Sequence, residues 1–546
     1  MNLTAAWKAM FLGLVLVTAG LGCSTSDLIP PDAGIHHPIR PPALPPAPTP
    51  PAQLPAPPVR KTEPPETKKE NAKDKESTKN LKVLPAPRMG LPEGILELSE
   101  VMESVKEHFP LLLAVEQERV IASGQRLASE GAFDLNLRAQ GIAQGGTFPS
   151  NRFNLVAEQA TPFYGLSVFS GYRTGIGDFP VYYGERLTAD GGEFRAGVVI
   201  PLLKDGPVDR RRAALRQAQI AESLADPVVQ RARIDFIRAA ARAYWNWIAA
   251  GDQYRVAESL LRIASERQAG FEEQFKQGQI AEFVVIDNQR LIAEREGTLI
   301  GADRRFQQTS FDLSLFLRDQ VGDPVVPTAS RLPQGFTDQQ PSLPSTKQLR
   351  EDIEMAYGLR PELVRFALLK ERVAVDLRLA QNQALPSLNA AVVGSQDTGK
   401  GKDSPGIFAL ERSAVEASLL LEVPLQRREA IGRARAARAS MTQLLGQERF
   451  ARDQISAEVQ DAVSNLDRTY QRLHRAREEH RIARRVAELE MERFRKGQGN
   501  LLEVNLRELA AAGAEVKVID ALADFFRAQA DHQAALGLDG KPNDNP

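Results

Sequence analysis

Few stretches of this chain have the residue types and spacing that chemistry requires. The stretch GSQDTGKG, which begins at Gly394, nearly matches a phosphate-binding loop. Gly401 stands where that loop needs a Ser or Thr hydroxyl for Mg²⁺, and the pattern that follows predicts a strand rather than a helix. The sequence therefore gives no basis for nucleotide binding.

Histidine and nucleophilic residues are also poorly placed for catalysis. No two histidines have metal-binding spacing beside other ligands, and the six are His36, His37, His108, His474, His480 and His532. The adjacent pair lies in a proline-rich stretch, where solvated linker residues are the simpler explanation than a metal site. No nucleophile elbow or triad pattern is present. We therefore expect no enzymatic activity, no catalytic residue, no cofactor and no metal.

The one cysteine, Cys23, follows a stretch typical of an export signal. The apolar run over residues 9–21 is shorter than the roughly 20 residues that a membrane-spanning helix needs. Residues 19–23 resemble the signal-peptidase box of bacterial lipoproteins, whose cysteine is acylated, although Gly20 occupies the usual leucine position. We predict a signal peptide over residues 1–23 and acylation of Cys23; the alternative is an ordinary cleaved signal.

Charge and composition limit the remaining possibilities. Lys plus Arg total 69 and Asp plus Glu total 70, so no net field would attract nucleic acid. Residues 24–90 are rich in Pro, Lys and Glu and lack a packing pattern, which predicts a disordered tether. The rest of the chain is dominated by Ala, Leu, Arg, Glu and Gln, a composition that favours long helices.

Two parts of the chain follow the same plan of helix, strand pair and long helical hairpin. Apolar residues at helical spacing predict helices that open at Pro110 and Pro361. Alternating apolar and polar residues predict four strands, which begin near Leu135, Glu193, Leu388 and Ser413. On one face of the last strand we expect Val415, Ala417, Leu419 and Leu421.

The boundaries of these two copies follow from changes in pattern. We expect residues 91–330 to form the first copy and residues 347–537 to form the second. A connector over residues 331–346 is rich in proline and lacks helical spacing, and we place it around the middle of the helices. Residues 538–546 form a predicted disordered tail.

A repeated motif occurs once in each copy, as FKQGQ from Phe275 and FRKGQ from Phe494. Helical spacing continues on both sides of it, so Gly278 and Gly497 are predicted to end long helices at hairpin tips. If mostly helical, each preceding stretch would be about 100 Å long. The two phenylalanines are expected to pack beneath the tips, with direct contact to a partner as the alternative.

Four strands of this length match the membrane thickness, but they cannot close a barrel alone. Open strand edges in a bilayer would leave backbone groups unpaired, at several kcal/mol each. Several copies of the chain must therefore share their strands, and the helices that continue from them would enclose a common bore.

The order of these elements resembles the TolC-type outer membrane efflux protein family over residues 91–537. The matching stretches include PLLKDGPVDRRRAALRQA from Pro201, ARAYWNWIAA from Ala241, RPEL from Arg360, the two tip motifs, and LLEVNLRELAAAG from Leu501. The resemblance implies a mainly α fold with a small β part, in which a homotrimer shares a twelve-stranded outer membrane barrel above a periplasmic helical tunnel. It further implies a passive export duct that docks onto a periplasmic adaptor and an inner-membrane pump.

The resemblance also places a constriction of the tunnel at the hairpin tips. Glu503 occupies the usual position of an inward acid, so three copies would form a carboxylate ring that favours cations. An ordinary solvated carboxylate at a helix start is the alternative, and Glu282 is the weaker candidate in the first copy. Leu506 stands where a second acid is customary. Adaptor docking is implied at both tips, and simple turn chemistry is the alternative role of these residues, namely Gly278, Gln279, Ile280, Ala281, Gly497, Gln498, Gly499 and Asn500.

Residues 145–192, between the first two predicted strands, form either additional strands or a surface loop. Their aromatic residues suit a membrane-interface belt, a plug or packing within a loop, and they are Phe163, Tyr164, Phe169, Tyr172, Tyr182 and Tyr183. The pattern does not decide between these interpretations.

A periplasmic coiled-coil adaptor or scaffold without a pore is the alternative function. Adaptors usually have one helical hairpin that interrupts a small β domain, whereas this sequence predicts two hairpins and two strand pairs. The channel is therefore the leading interpretation. Under it, the protein contacts outer membrane lipid, extends into the periplasm and does not bind nucleic acid.

Overall fold

The computed structural model describes residues 94–179, 188–342, 349–399 and 413–539. The predicted signal peptide with Cys23 and the predicted tether lie outside the described residues. Parts of the predicted connector and tail, the Gly401 position, Tyr182 and Tyr183 also lie outside them.

The described residues contain eight α-helices in two series that have the same order. The first series is α1 (Leu98–His108), α2 (Pro110–Glu130), α3 (Arg210–Lys276) and α4 (Glu282–Ser314). The second series is α5 (Leu349–Leu359), α6 (Pro361–Gln383), α7 (Arg428–Arg495) and α8 (Leu501–Leu536). The predicted prolines stand in the first turn of α2 and α6, where the missing N–H has no intrahelical partner to lose.

Each series is built on one long helix. Helix α3 has 67 residues and α7 has 68, so each is about 100 Å long. Two shorter helices pack along each of them, α2 and α4 along α3, and α6 and α8 along α7. Contacts between these helices include Arg119–Asp226 (2.8 Å), Trp247–Ser310 (3.1 Å), Lys370–Glu448 (2.6 Å) and Lys517–Glu479 (2.6 Å). No helix in the described ranges is both long and apolar enough to cross a membrane.

Within the described residues, six strands form one antiparallel sheet whose spatial order is the chain order. They are β1 (Asn136–Gln144), β2 (Ser150–Ala160), β3 (Ser167–Gly177), β4 (Glu193–Pro201), β5 (Ser387–Asp397) and β6 (Ser413–Glu422). The mainly helical fold with a small β part is confirmed, but the expected number of four strands is wrong. The segment 145–192 supplies β2 and β3, because its residues alternate between polar and apolar as a half-exposed strand requires.

The register divides the sheet into two faces of opposite character. We call the polar face the side that carries Arg138, Gln140, Arg152, Asn154, Arg173, Glu193, Arg195, Asp397 and Glu416. We call the apolar face the side that carries Leu137, Phe153, Leu155, Val168, Ile176, Phe194, Val392, Val415, Leu419 and Leu421. The prediction that alternate residues from 415 to 421 share one face is therefore confirmed.

The hydrophobic core lies where the helices of both series meet. It contains the fully buried Trp247 of α3 and Leu522 of α8, together with Leu332 and Phe336 of the connecting segment between the series. Trp245 stacks on Phe526 with ring centroids 4.2 Å apart. The described part of the connecting segment is therefore packed into the helices at the centre of the core.

Candidate functional site at the hairpin tips

The first hairpin tip is a tight glycine-dependent turn between α3 and α4. The N–H of Gln279 donates to the carbonyl of Gln274 (2.9 Å), and the N–H of Gly278 donates to the carbonyl of Phe275 (2.9 Å). These two bonds form a Schellman motif, which places its glycine in the left-handed conformation. Gly278 accordingly has φ of 70°.

The second tip, between α7 and α8, repeats this geometry. The N–H of Gln498 donates to the carbonyl of Arg493 (2.9 Å), and that of Gly497 donates to the carbonyl of Phe494 (2.9 Å). Gly497 has φ of 72°. A Cβ added to this glycine, or to its counterpart in the first tip, would meet no atom within 4 Å. Backbone conformation, rather than space, therefore explains why each motif contains glycine.

The two tips differ where the next helix starts. Asn500 precedes α8, and its Oδ1 accepts a hydrogen bond from the N–H of Glu503 (2.8 Å). Ala281 precedes α4 in the same extended conformation, but alanine has no side-chain acceptor for this role. The start of α8 is thus capped by a side chain and the start of α4 is not.

Gly499 has a close-packing role that the first tip lacks. A Cβ at this position would lie 2.9 Å from Oε1 of Glu490 and 3.3 Å from the backbone nitrogen of Phe494. Glu490 is buried, and its Oε2 accepts a hydrogen bond from Arg493 (2.9 Å). Glycine at 499 therefore lets the turn close over a carboxylate at the end of α7.

Apolar side chains near both tips stay partly exposed. Phe275 is 42% exposed and Phe494 is half-buried, so neither is a core residue beneath its tip. Phe283 and Leu502, at the beginnings of the return helices, are 75% and 60% exposed. The tips thus present apolar surface beside their polar turn residues.

The predicted constriction residues both occupy the first turn of a return helix. Glu503 lies in α8 and Glu282 in α4, and both side chains are exposed. The nearby Arg493 pairs with Glu490 (2.9 Å) rather than with Glu503. The structure therefore leaves the carboxylate of Glu503 accessible at the tip, and its role in a ring stays a prediction.

A buried charge cluster, which we call the clamp, joins the two hairpins above the tips. Glu508 of α8 pairs with Arg267 of α3 and with Arg295 of α4, the latter at 3.1 Å. Arg267 also donates to Oδ1 of Asn505 (2.8 Å), and Arg295 donates to the carbonyl of Leu260 (2.5 Å). The three charged side chains of the clamp are between 7% and 12% exposed. One carboxylate thus holds two arginines out of water, a geometry that makes removal of the carboxylate costly.

Sequence reasoning missed the clamp, although one signal was present. The buried stripe of α4 runs through Val285, Asn288 and Arg295, so two polar residues occupy positions with core spacing. Asn288 donates to the carbonyl of Ala264 (3.1 Å), which ties α4 to α3. Polar residues at core spacing were therefore the detectable sign of contacts between helices.

A groove lies beside the clamp between α4 and α8. Its volume is about 250 Å³, and Leu291, Leu502, Leu506 and Leu509 are among its lining residues. Leu506 occupies the position where the resemblance would place a second acid. Leucine side chains therefore form much of the apolar lining of the groove, and position 506 supplies no carboxylate.

Charges are also buried where α3 meets the connecting segment. Asp252 pairs with Arg255 (2.9 Å), which also donates to the carbonyl of Pro333 (2.7 Å). Burial raises the pKa of the Asp252 carboxyl, and the charge of Arg255 opposes that shift. Across the described residues, no group of three or more His, Cys, Asp or Glu side chains could hold a metal ion.

Comparison with known proteins supports the fold. No protein-family model matches the chain, and no curated protein matches it by sequence. Among solved structures, the MtrE outer membrane channel of Neisseria gonorrhoeae has 15% identity and a TM-score of 0.54, with 81% of this chain and 89% of that chain covered. The CmeC outer membrane channel of Campylobacter jejuni has 12% identity and a TM-score of 0.54, with coverages of 81% and 85%.

A third similar structure is the outer membrane protein VceC of Vibrio cholerae, at 16% identity and a TM-score of 0.55. The alignment covers 81% of this chain and 96% of that chain. The resemblance inferred from the order of elements is thus confirmed at the level of structure: this chain has the fold of the solved outer membrane channels.

Proposed function

We propose that the protein is the outer membrane channel of a tripartite export system, a passive duct formed by three copies of the chain. One observation carries the proposal: a sheet with a polar and an apolar face continues into two long helical hairpins. A sheet of this kind suits a wall between lipid and a water-filled lumen. The shared fold with solved outer membrane channels supports the same arrangement.

The helical part is proposed to extend into the periplasm as a tunnel with its tips farthest from the membrane. There the exposed tip residues would meet a periplasmic adaptor, through which an inner-membrane pump of an efflux or type I secretion system supplies energy. The polar turn residues of both tips support this role, together with the exposed Phe275 and Phe283 of the first tip and Leu502 of the second, because they offer hydrogen bonds and apolar contacts to another helical hairpin. The cargo would be chosen by the pump.

Two further roles belong to the same proposal. Glu503 would form a carboxylate ring at the constriction, and Glu282 would contribute more weakly. Acylation of Cys23 would add a lipid anchor, which alone gives only marginal membrane binding, so the barrel would supply most of the membrane attachment.

Fractionation and electrical recording test the proposal together. We expect heat-modifiable trimers in the outer membrane and ion conductance after reconstitution of the full chain into planar lipid bilayers. A monomer in the soluble periplasmic fraction would contradict the channel and favour an adaptor or scaffold without a pore. Trimers in the outer membrane without conductance would contradict the duct while preserving the localisation.

A further inference from the structure

The sheet contains a hairpin, β2–β3, that lies between the two strands predicted for the first copy. It is fully integrated into the sheet, since β2 pairs with β1 along nine residue pairs and β3 pairs with β4 along seven. The order of strands is β1-β2-β3-β4-β5-β6, without a crossover. The hairpin is therefore part of the wall rather than a loop folded across it.

The turn of this hairpin is seated on the junction between the sheet and the helices. The N–H of Thr161 donates to the carbonyl of Leu166 (2.8 Å), which closes the turn. A Cβ at Gly165 would lie 2.5 Å from the carbonyl oxygen of Asp205. A Cβ at Gly206 would lie 2.8 Å from the ring of Tyr164. The turn and the β4–α3 loop thus touch without room for a side chain, so the hairpin is fixed at this end.

The middle of β3 is also tied to the segment that precedes β4. The hydroxyl of Tyr172 in β3 donates to the carbonyl of Gly191 (2.9 Å), just before β4. The hydroxyl of Thr398, which follows β5, donates to the same carbonyl (2.8 Å). Gly191 therefore links β3 of the first repeat to the segment that follows β5 of the second repeat.

The hairpin continues both faces of the sheet. Asn154 and Arg173 pair in one row that runs from Gln140 to Glu193, all on the polar face. The apolar face continues through Phe153, Leu155 and Ile176. A concavity of about 660 Å³ lies against the polar face, with lining residues from every strand that include Gln140, Arg152, Arg173, Arg195, Ser395 and Glu416. The sheet therefore curves around its polar side.

The two edges of the sheet are complementary to each other. Strands β1 and β6 have nine and ten residues, and in the described chain neither has a partner on its outer side. The strands alternate in direction and are even in number. In a ring of identical subunits, β6 of one subunit would therefore run antiparallel to β1 of the next subunit. Such edges must be paired in a bilayer, where each unpaired backbone group costs several kcal/mol.

We propose that each subunit contributes six strands to the barrel, so that three subunits close an eighteen-stranded wall through β6–β1 contacts between neighbouring subunits. This inference rests on the proposed trimeric channel and changes the twelve-stranded barrel that the resemblance implies. Since barrel diameter grows roughly linearly with strand number, the wall would be about 1.5-fold wider. The added hairpin would also line the lumen with Arg152 and Arg173, and a wide, charged mouth suits bulky, hydrated cargo.

Spin labels on single cysteines, introduced into a Cys23→Ser background and reconstituted in vesicles, test this directly. Labels at Leu155→Cys and Asn154→Cys report the two faces of β2, and labels at Val392→Cys and Val393→Cys are the matched control on β5. We expect oxygen dissolved in lipid to reach positions 155 and 392, and a water-soluble nickel chelate to reach positions 154 and 393. If the nickel chelate reaches both β2 positions while accessibility still alternates between positions 392 and 393 of β5, β2 is not part of the barrel wall. That result would overturn the proposal of six strands per subunit but would not contradict the channel. Loss of alternation in β5 as well would overturn the channel itself.

Barrel width provides a second measurement. Deletion of residues 150–177 removes β2 and β3, and the remaining loop joins the end of β1 to the start of β4. Each subunit would then contribute four strands. We expect end-on averages of the purified trimer to show a barrel about 1.5-fold wider in the full chain than in the deletion variant. Equal widths would overturn the proposal. If the deletion variant does not assemble, the width of the full-chain barrel decides, because eighteen and twelve strands differ by the same factor.

Discussion

The two hairpin tips share one half of their turn and differ in the other half. Gly278 and Gly497 close the same Schellman motif with φ within a few degrees of each other. The next helix is capped by Asn500 in the second tip, whereas Ala281 offers no side-chain cap in the first. The difference teaches that ending a helix and starting the next one are separately encoded, so one can vary while the other is kept.

The asymmetry extends above the tips into the clamp. Glu508 belongs to the second hairpin, and both of its arginine partners belong to the first. The capped helix α8 is thus the one that carries the shared carboxylate. Helix α4 lacks the cap, and its own Arg295 ties it to α3 through the carbonyl of Leu260.

Removal of the clamp carboxylate is expected to have the largest effect. Glu508→Ala leaves Arg267 and Arg295 buried without a counter-charge, which costs about 3–5 kcal/mol in comparable buried pairs. Hydrogen exchange in the first half of α8 should accelerate, and the thermal midpoint should fall. The matched control is Glu266→Ala, which breaks the exposed pair with Arg262 and should cost about 0.3–0.5 kcal/mol. Equal effects of the two substitutions would show that the clamp does not join the hairpins.

Substitution of the two turn glycines tests the shared half of the tips. Gly278→Ala and Gly497→Ala should each cost about 1–2 kcal/mol, because the left-handed conformation disfavours a Cβ while space is available. Gly297→Ala inside α4 is the control of opposite sign, with an expected gain of about 0.5–1 kcal/mol. Denaturant unfolding measures all three. Clearly unequal costs at the two tips would mean that the turns are not equivalent.

Exchange of the caps tests the half that differs. Asn500→Ala should cost about 1 kcal/mol and loosen the first turn of α8. Ala281→Asn should stabilise the start of α4 by a similar amount, since Ala281 already has the extended conformation of a capping residue. Hydrogen exchange at the first turns of α4 and α8 should become similar in either single variant, because both helices are then uncapped or both are capped. In the double variant the difference between the two helices should be reversed. A loss of stability on Ala281→Asn would contradict the comparison.

The helix ends and the repeated turns could be predicted from the sequence because they depend on neighbouring residues. A glycine between two helical runs marks the end of the first, and Phe275 and Phe494 marked the repeat of that turn. The clamp depends instead on three helices meeting, with Glu508 lying 241 residues from Arg267 and 213 residues from Arg295 in sequence. No local pattern specifies such a meeting.

The error in strand number has a different cause. Phe153 and Leu155 alternate with Arg152 and Asn154, so the period of β2 was present in the sequence. The predicted plan of one strand pair per copy left this segment undecided between strand and loop, although its pattern fitted a strand. The aromatic residues of the segment are also divided in the structure, since Phe169 lies on the polar side beneath Arg195 (5.8 Å) and Tyr172 on the apolar side. A single aromatic belt therefore does not describe them.

The smallest effect on stability and the sharpest effect on function are expected at Glu503. Its side chain is exposed in the first turn of α8, so Glu503→Gln should cost only about 0.3–1 kcal/mol through the helix dipole. If three copies of Glu503 surround the constriction, the same substitution should lower the preference for cations, measured as the reversal potential in a salt gradient. Glu282→Gln is the comparison in the first tip, because Glu282 also lies in the first turn of its return helix and its side chain is also exposed. We expect a smaller shift there, since the resemblance places the ring on the second hairpin. If channels with Glu503→Gln still conduct and their reversal potential is unchanged, Glu503 is an ordinary solvated carboxylate at the start of α8. The structural difference between the two tips would then have no effect on ion selectivity.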